Sequence, residues 1–168
     1  MLSPLGLYRE HGNHIDIVTK RNDFYAFMQK KRGRFSKFLK QKNKDFLDID
    51  FNLKEDDLRF YRMVKNKSSF WVATNLGLFE LDLNGKLQDY LPNRIYQFTF
   101  FKNQFIQANP FGGVMIFDDI KSLKYSYFSD SQGNIPKDVV AISKNENAVF
   151  FGSSLDGLFK YEKGNFTS

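Results

Sequence analysis

Few residues of this chain are spaced for catalysis. His11 and His14 lie three apart and could share a metal, but no carboxylate or cysteine cluster accompanies them, so solvated loop positions and no metal are expected. Cysteine is absent, which excludes disulfides, thiolate zinc sites and a thiol nucleophile. Asp56-Asp57 and Asp118-Asp119 are sequence neighbours, whereas the carboxylates of a glycosidase must oppose each other across a substrate. There is no Gly-x-Ser-x-Gly elbow, no HExxH and no phosphate-cradling glycine loop. The residues therefore predict no catalytic set, no enzyme and no cofactor; the expected activity is binding.

Binding has better candidates. Asn75, Arg94, Asn109 and Lys137 supply hydrogen bonds or positive charge from turn regions, although turns also select asparagine for its tolerance of left-handed backbone. Trp71 offers a flat ring on which a sugar could stack, yet its neighbours Phe70 and Val72 favour a place in the core. Lys30, Lys31, Arg32, Arg34, Lys37, Lys40, Lys42 and Lys44 form a run without an acid and account for the net charge of +6. Residues 30–44 read either as a polyanion or nucleic-acid surface or as a solvated hairpin whose cations discourage edge pairing. The acids between Asp45 and Asp57 favour the solvated hairpin and make nucleic acid the weaker partner.

What must position these residues is a repeated strand unit. Residues 69–82 read as a hairpin: an aromatic and β-branched strand through Trp71, a turn closed by Gly77, then apolar residues alternating with acids. Weaker copies start at Phe24, Phe105 and Val149. Each follows a turn that begins with lysine and contains asparagine, and Lys20, Lys65, Lys102 and Lys144 recur about every 40 residues. Short strands at that period are those of propeller blades. The expected fold is all-β, with about four four-stranded antiparallel β-propeller blades at residues 14–52, 58–91, 95–128 and 138–168. In the first blade the strands are expected at residues 15–19, 24–28, 33–39 and 46–51. A helix across any of the four tracts is incompatible with the series and with the sensor reading built on it. Residues 1–10, with Gly6-Leu7-Tyr8, read as an orphan strand of a preceding or ring-closing blade.

Trp71-Val72-Ala73-Thr74 with Gly77-Leu78-Phe79, and Phe151-Gly152-Ser153 with Gly157-Leu158-Phe159, resemble the two-component regulator propeller repeat. The stretch from Ile135-Pro136 through Val139 to Tyr161 is similar to that repeat along its whole length, whereas Gln29 to Arg32 replaces the usual turn in the first unit. The resemblance implies an extracytoplasmic sensor domain of a bacterial hybrid two-component histidine kinase. It further implies recognition of a carbohydrate, a periplasmic location, and an export signal, membrane segment and kinase outside this chain. No run of about 18 apolar residues is present to span a membrane, and the first residues lack a basic region followed by an apolar core.

In a blade, the loop between second and third strands and the connection from the outer strand to the next inner strand emerge on one face. Asn75, Arg94, Asn109 and Lys137 are expected there, as contacts to a glycan or other small ligand. About four blades make half of a larger ring, so further blades or self-association are expected to cover the exposed blade surfaces. The competing reading is a protein-interaction scaffold, marked by apolar patches on the rim.

Overall fold

The computed structural model describes residues 2–3, 6–11, 14–20, 22–24, 26–28, 58–92, 95–109, 112–121, 124–129 and 135–168. They fall into two units, Met1–Arg94 and Ile95–Ser168. In the first, β1 (Leu2–Ser3), β2 (Gly6–His11) and β3 (His14–Lys20) form an antiparallel sheet in that order. Gly6-Leu7-Tyr8 is thus no orphan: β2 runs alongside β3, from Gly6 opposite Lys20 to His11 opposite His14.

Residues 22–24 and 26–28 are helical, which corrects the strand expected at residues 24–28 and with it the first of the four expected blades. The remaining strands expected in that blade, at residues 33–39 and 46–51, lie outside the described residues. The cause is legible in the side chains. Phe24, Phe27 and Met28 have the i, i+3, i+4 spacing of a helix face, and Phe24 and Met28 are buried. The Asp23 carboxylate accepts from the Lys20 amide three residues back (2.8 Å), the reciprocal half of a capping box, so the polar tetrad before Phe24 starts a helix instead of closing a hairpin.

The helical segment covers one face of the sheet formed in order by β4 (Phe60–Asn66), β5 (Ser69–Thr74), β6 (Gly77–Asp82) and β7 (Leu87–Leu91). Phe24 sits edge-on to Phe60 (5.1 Å between centroids) and Phe79 (5.2 Å), with Val72, Leu81 and Tyr90 in the same cluster. Strand periodicity accounts for the other side: Trp71, Ala73 and Leu78 point away from that cluster and are buried. Trp71 is a core residue, its Nε1 donating to Ser69 Oγ (3.1 Å). Asn84-Gly85 closes the β6–β7 hairpin as expected, but in a turn wider than two residues. Gly85 takes positive φ (83°), and Asp82 Oδ1 accepts from the amides of Asn84 and Lys86 (both 2.9 Å).

The second unit holds two four-stranded antiparallel sheets. One is β8 (Phe98–Phe101), β9 (Gln104–Ala108), β10 (Val114–Asp119) and β11 (Lys124–Phe128); the other is β12 (Ala141–Lys144), β13 (Val149–Gly152), β14 (Leu158–Glu162) and β15 (Asn165–Thr167). Lys102 and Asn103 both take positive φ (46° and 66°), the type I′ conformation that matches strand twist in a two-residue hairpin. The sheets pack face to face: Ile106, Ala108, Val114 and Ile116 of the first meet Ile142, Phe151, Phe159 and Tyr161 of the second. Each buried phenylalanine there contributes about 1.5–3 kcal/mol. The first strands β8 and β12 are neighbours, and Lys144 Nζ donates to the Phe100 carbonyl across them. On the opposite face of β8–β11 the rings of Phe98, Phe105, Phe117 and Tyr125 follow one another at 5.2 to 5.7 Å. The described residues are thus all-β apart from the helical segment, and three sheets have the four-stranded antiparallel form expected of blades.

Candidate functional site

Asn75 lies in the β5–β6 turn. Thr74 Oγ1 accepts from the Leu76 amide (3.0 Å) and donates to the Gly77 carbonyl (2.9 Å), while Tyr90 Oη donates to the Leu76 carbonyl (2.5 Å). Asn75 pins this turn to the chain entering β4: its Oδ1 accepts from the Arg59 amide (2.7 Å) and its amide donates to the Arg59 carbonyl (3.1 Å). Its side chain is buried and serves the turn. Arg94 lies outside the described residues.

The turns that carry Asn109 and Lys137 are brought together, with Asn109 buried and Lys137 exposed. The Asn109 amide donates to the Gly113 carbonyl (3.1 Å) and its own carbonyl accepts from Gly112 (3.0 Å), so the chain doubles back between β9 and β10. Gly112 and Gly113 make this possible with positive φ (101° and 76°). The turn then touches the segment leading into β12. The Gly113 amide donates to the Pro136 carbonyl (3.1 Å), and a Cβ on Gly112 would stand 2.6 Å from the Lys137 carbonyl, a separation only glycine permits. Tyr127, on the edge strand β11, donates from Oη to the Gly112 carbonyl (3.0 Å) and keeps its ring partly in solvent.

The segment after Pro136 is tied to the β13–β14 loop in turn. The Lys137 amide donates to Asp156 Oδ2 (3.2 Å) and leaves the ammonium exposed. Asp138 accepts from the hydroxyls of Ser153 and Ser154 and from the Ser154 amide (3.1 Å). These bonds, the Ser153 hydroxyl first, hold the Asp138 carboxyl below the usual carboxylate range. Ser153 Oγ also accepts from the amides of Leu155 (3.2 Å) and Asp156 (2.9 Å), which rounds the loop. Asp138 was not among the residues expected at the site. Its signal was present, an aspartate two residues after Pro136 with a Ser-Ser pair one hairpin later, but nothing in the sequence says that the two segments meet.

The outcome is a cluster in which two second-to-third-strand loops (109–113 and 153–157) and the connection into β12 converge at one end of the second unit. It presents an exposed ammonium at Lys137, carboxylates at Asp138 and Asp156, and the Tyr127 ring. Among the described residues no three of His, Cys, Asp and Glu gather as metal ligands, and no helix is long and apolar enough to cross a membrane.

No protein-family model and no curated sequence matches the chain. Solved structures do. One is the extracellular domain of BT4673 from B. thetaiotaomicron, described as a one-component system, with a TM-score of 0.52 at 15% identity over 71% of this chain and 17% of that one. A second structure of the BT4673 extracellular domain, described as part of a hybrid two-component system, gives 0.48 at 19% identity over 73% and 17%. The computationally designed protein Ika8 gives 0.46 at 14% identity over 64% and 34%. The chain spans well under two thirds of each of these proteins, and the likeness to the first is one of fold.

Proposed function

We propose, from the three four-stranded sheets and the loop cluster and no longer from a fourfold series, which the helix at residues 22–28 ends, that this chain is the ligand-recognising part of a larger propeller belonging to a two-component sensor, that it binds a glycan, and that it is a binding module without catalytic activity. The observation that carries this reading is the convergence of loops from two consecutive sheets on one end of the second unit, with Lys137, Tyr127 and Asp156 in the contact set and Asn109 buried beneath it as part of its turn. A sugar asks for hydroxyl-bonding charges beside a flat apolar ring, and Lys137, Asp156 and Tyr127 are of those kinds. The fold likeness to the BT4673 extracellular domain supports a sensor context and an extracytoplasmic, periplasmic place of work.

Signalling follows if the ligand binds one arrangement of the propeller and its partner better than another, since the shift transmitted to a kinase can be no larger than that difference in affinity. The test is a glycan array followed by calorimetry on the full chain. At least one oligosaccharide is expected to bind, with Tyr127→Ala and Lys137→Ala each weakening it about tenfold, or ~1.4 kcal/mol. A chain that binds no glycan, or a double variant that binds as the parent does, overturns the reading.

A further inference from the structure

Asn84-Gly85, in the turn that closes the β6–β7 hairpin, is the one place in the chain where glycine follows asparagine. The pair is set up for a covalent rearrangement. Glycine has no Cβ to shield its main-chain nitrogen, and the side-chain carbonyl of the residue before it lies within reach of a five-membered ring. In that step the Gly85 nitrogen bonds to Asn84 Cγ, the Cγ–Nδ2 bond breaks, and ammonia leaves carrying the proton of the Gly85 amide. Water then opens the cyclic imide at either carbonyl, leaving aspartate or isoaspartate and one new negative charge. Asn84 is exposed, so water and base reach it.

The turn withholds the attacking atom. Gly85 is buried between exposed neighbours, and its amide donates to the Asp82 carbonyl (2.9 Å). Asp82 also holds both flanks of the pair: Oδ1 accepts from the amides of Asn84 and Lys86 (both 2.9 Å), Oδ2 accepts from Gln88 Nε2 (3.0 Å), and the Asp82 amide donates to the Lys86 carbonyl (3.0 Å). We propose that Asn84 is a deamidation site held closed in the folded chain by this Asp82-centred turn and released by local opening of the β6–β7 hairpin. The product matters beyond the turn. Isoaspartate lengthens the main chain by one atom between Leu81 and Leu87, which stand opposite each other, and β7 carries Tyr90, whose hydroxyl holds the β5–β6 turn at the Leu76 carbonyl.

Peptide mapping by mass spectrometry after incubation of the full chain at mildly alkaline pH tests this. In guanidinium chloride, with the chain unfolded, Asn84 is expected to be the first asparagine modified. In the folded chain its rate is at least about tenfold lower, because modification through an open state scales with the population of that state. Asp82→Ala, shown to be folded by circular dichroism and Trp71 fluorescence, raises the folded-state rate at least about threefold for the same reason. A second measurement needs no variant: below the unfolding transition, hydrogen exchange of the Gly85 amide and modification of Asn84 rise in parallel as guanidinium is added. Another asparagine modified first in the unfolded chain, equal rates folded and unfolded, a folded Asp82→Ala variant modified at the parental rate, or Gly85 exchange that rises while modification does not, overturns the proposal.

Discussion

The helical segment at residues 22–28 can be tested against the strand expected there with one surface substitution. In a strand, Phe24, Ala26 and Met28 share a face, so a glutamate at position 26 is driven into the core. In the structure Ala26 is exposed while Phe24 and Met28 are buried and Phe27 is partly buried. Ala26→Glu then stays within about 0.5 kcal/mol of the parent, as exposed positions do. In the strand arrangement the same change leaves a buried unpaired charge at a cost of about 3–5 kcal/mol. Phe24→Ala is the positive control: it removes a fully buried ring set edge-on to Phe60 and Phe79 and costs about 3–5 kcal/mol. Urea unfolding followed by the fluorescence of Trp71, the single tryptophan, reads the sheet that the helical segment covers. With a slope near 2 kcal/mol per molar, Phe24→Ala lowers the midpoint by about 2 M and Ala26→Glu hardly moves it. A loss on Ala26→Glu as large as that on Phe24→Ala refutes the helical packing.

Two further outcomes concern the binding loops. Gly113→Ala is expected to lower the melting temperature strongly, because φ is +76° and the added Cβ would overlap the Phe128 carbonyl, whereas Gly157→Ala, at φ +92° with open space around it, costs only about 1 kcal/mol of backbone strain; equal losses would refute the close approach. Asp138 has a carboxyl pKa depressed in the folded chain, so its stabilising effect is present above the unfolded carboxylate range and is lost as pH falls through the folded value. The melting temperatures of the parent and Asp138→Asn should differ at neutral pH and converge in acid, and a constant difference would remove the charge from the account.

How much of this the residues disclosed varies with how local the cause is. The β5–β6 hairpin follows from alternation about Trp71 and a glycine at the turn, both contained in residues 69–82, and it forms as expected. The segment at residues 22–28 has a local cause too, but two local signals compete there: aromatic residues suit a strand, and a lysine-asparagine turn resembles those before the other hairpins. Asp23 folding back on Lys20 and the spacing of Phe24, Phe27 and Met28 decide for helix. The loop cluster was only half visible. Blade topology predicts that such loops share an end, and it brings Asn109 near Lys137, but the bonds from Asp138 to Ser153 and Ser154 join residues well apart in the chain and leave no pattern to read. Asn75 shows the limit of residue type as a guide, because the side chain chosen for its polarity is spent on Arg59.

Each described strand pairs only with its neighbours in sequence, β4 through β7 in order and likewise β8 through β11 and β12 through β15. Hydrogen bonding is therefore of low contact order within a sheet, and the longer-range closure falls mainly to side chains such as Ile106 meeting Phe151, with the Gly113–Pro136 main-chain bond beside them. Such a chain can zip its hairpins early and join finished sheets late. Selection can then copy or delete a whole sheet as a cassette, the accommodation being confined to the two surfaces it touches.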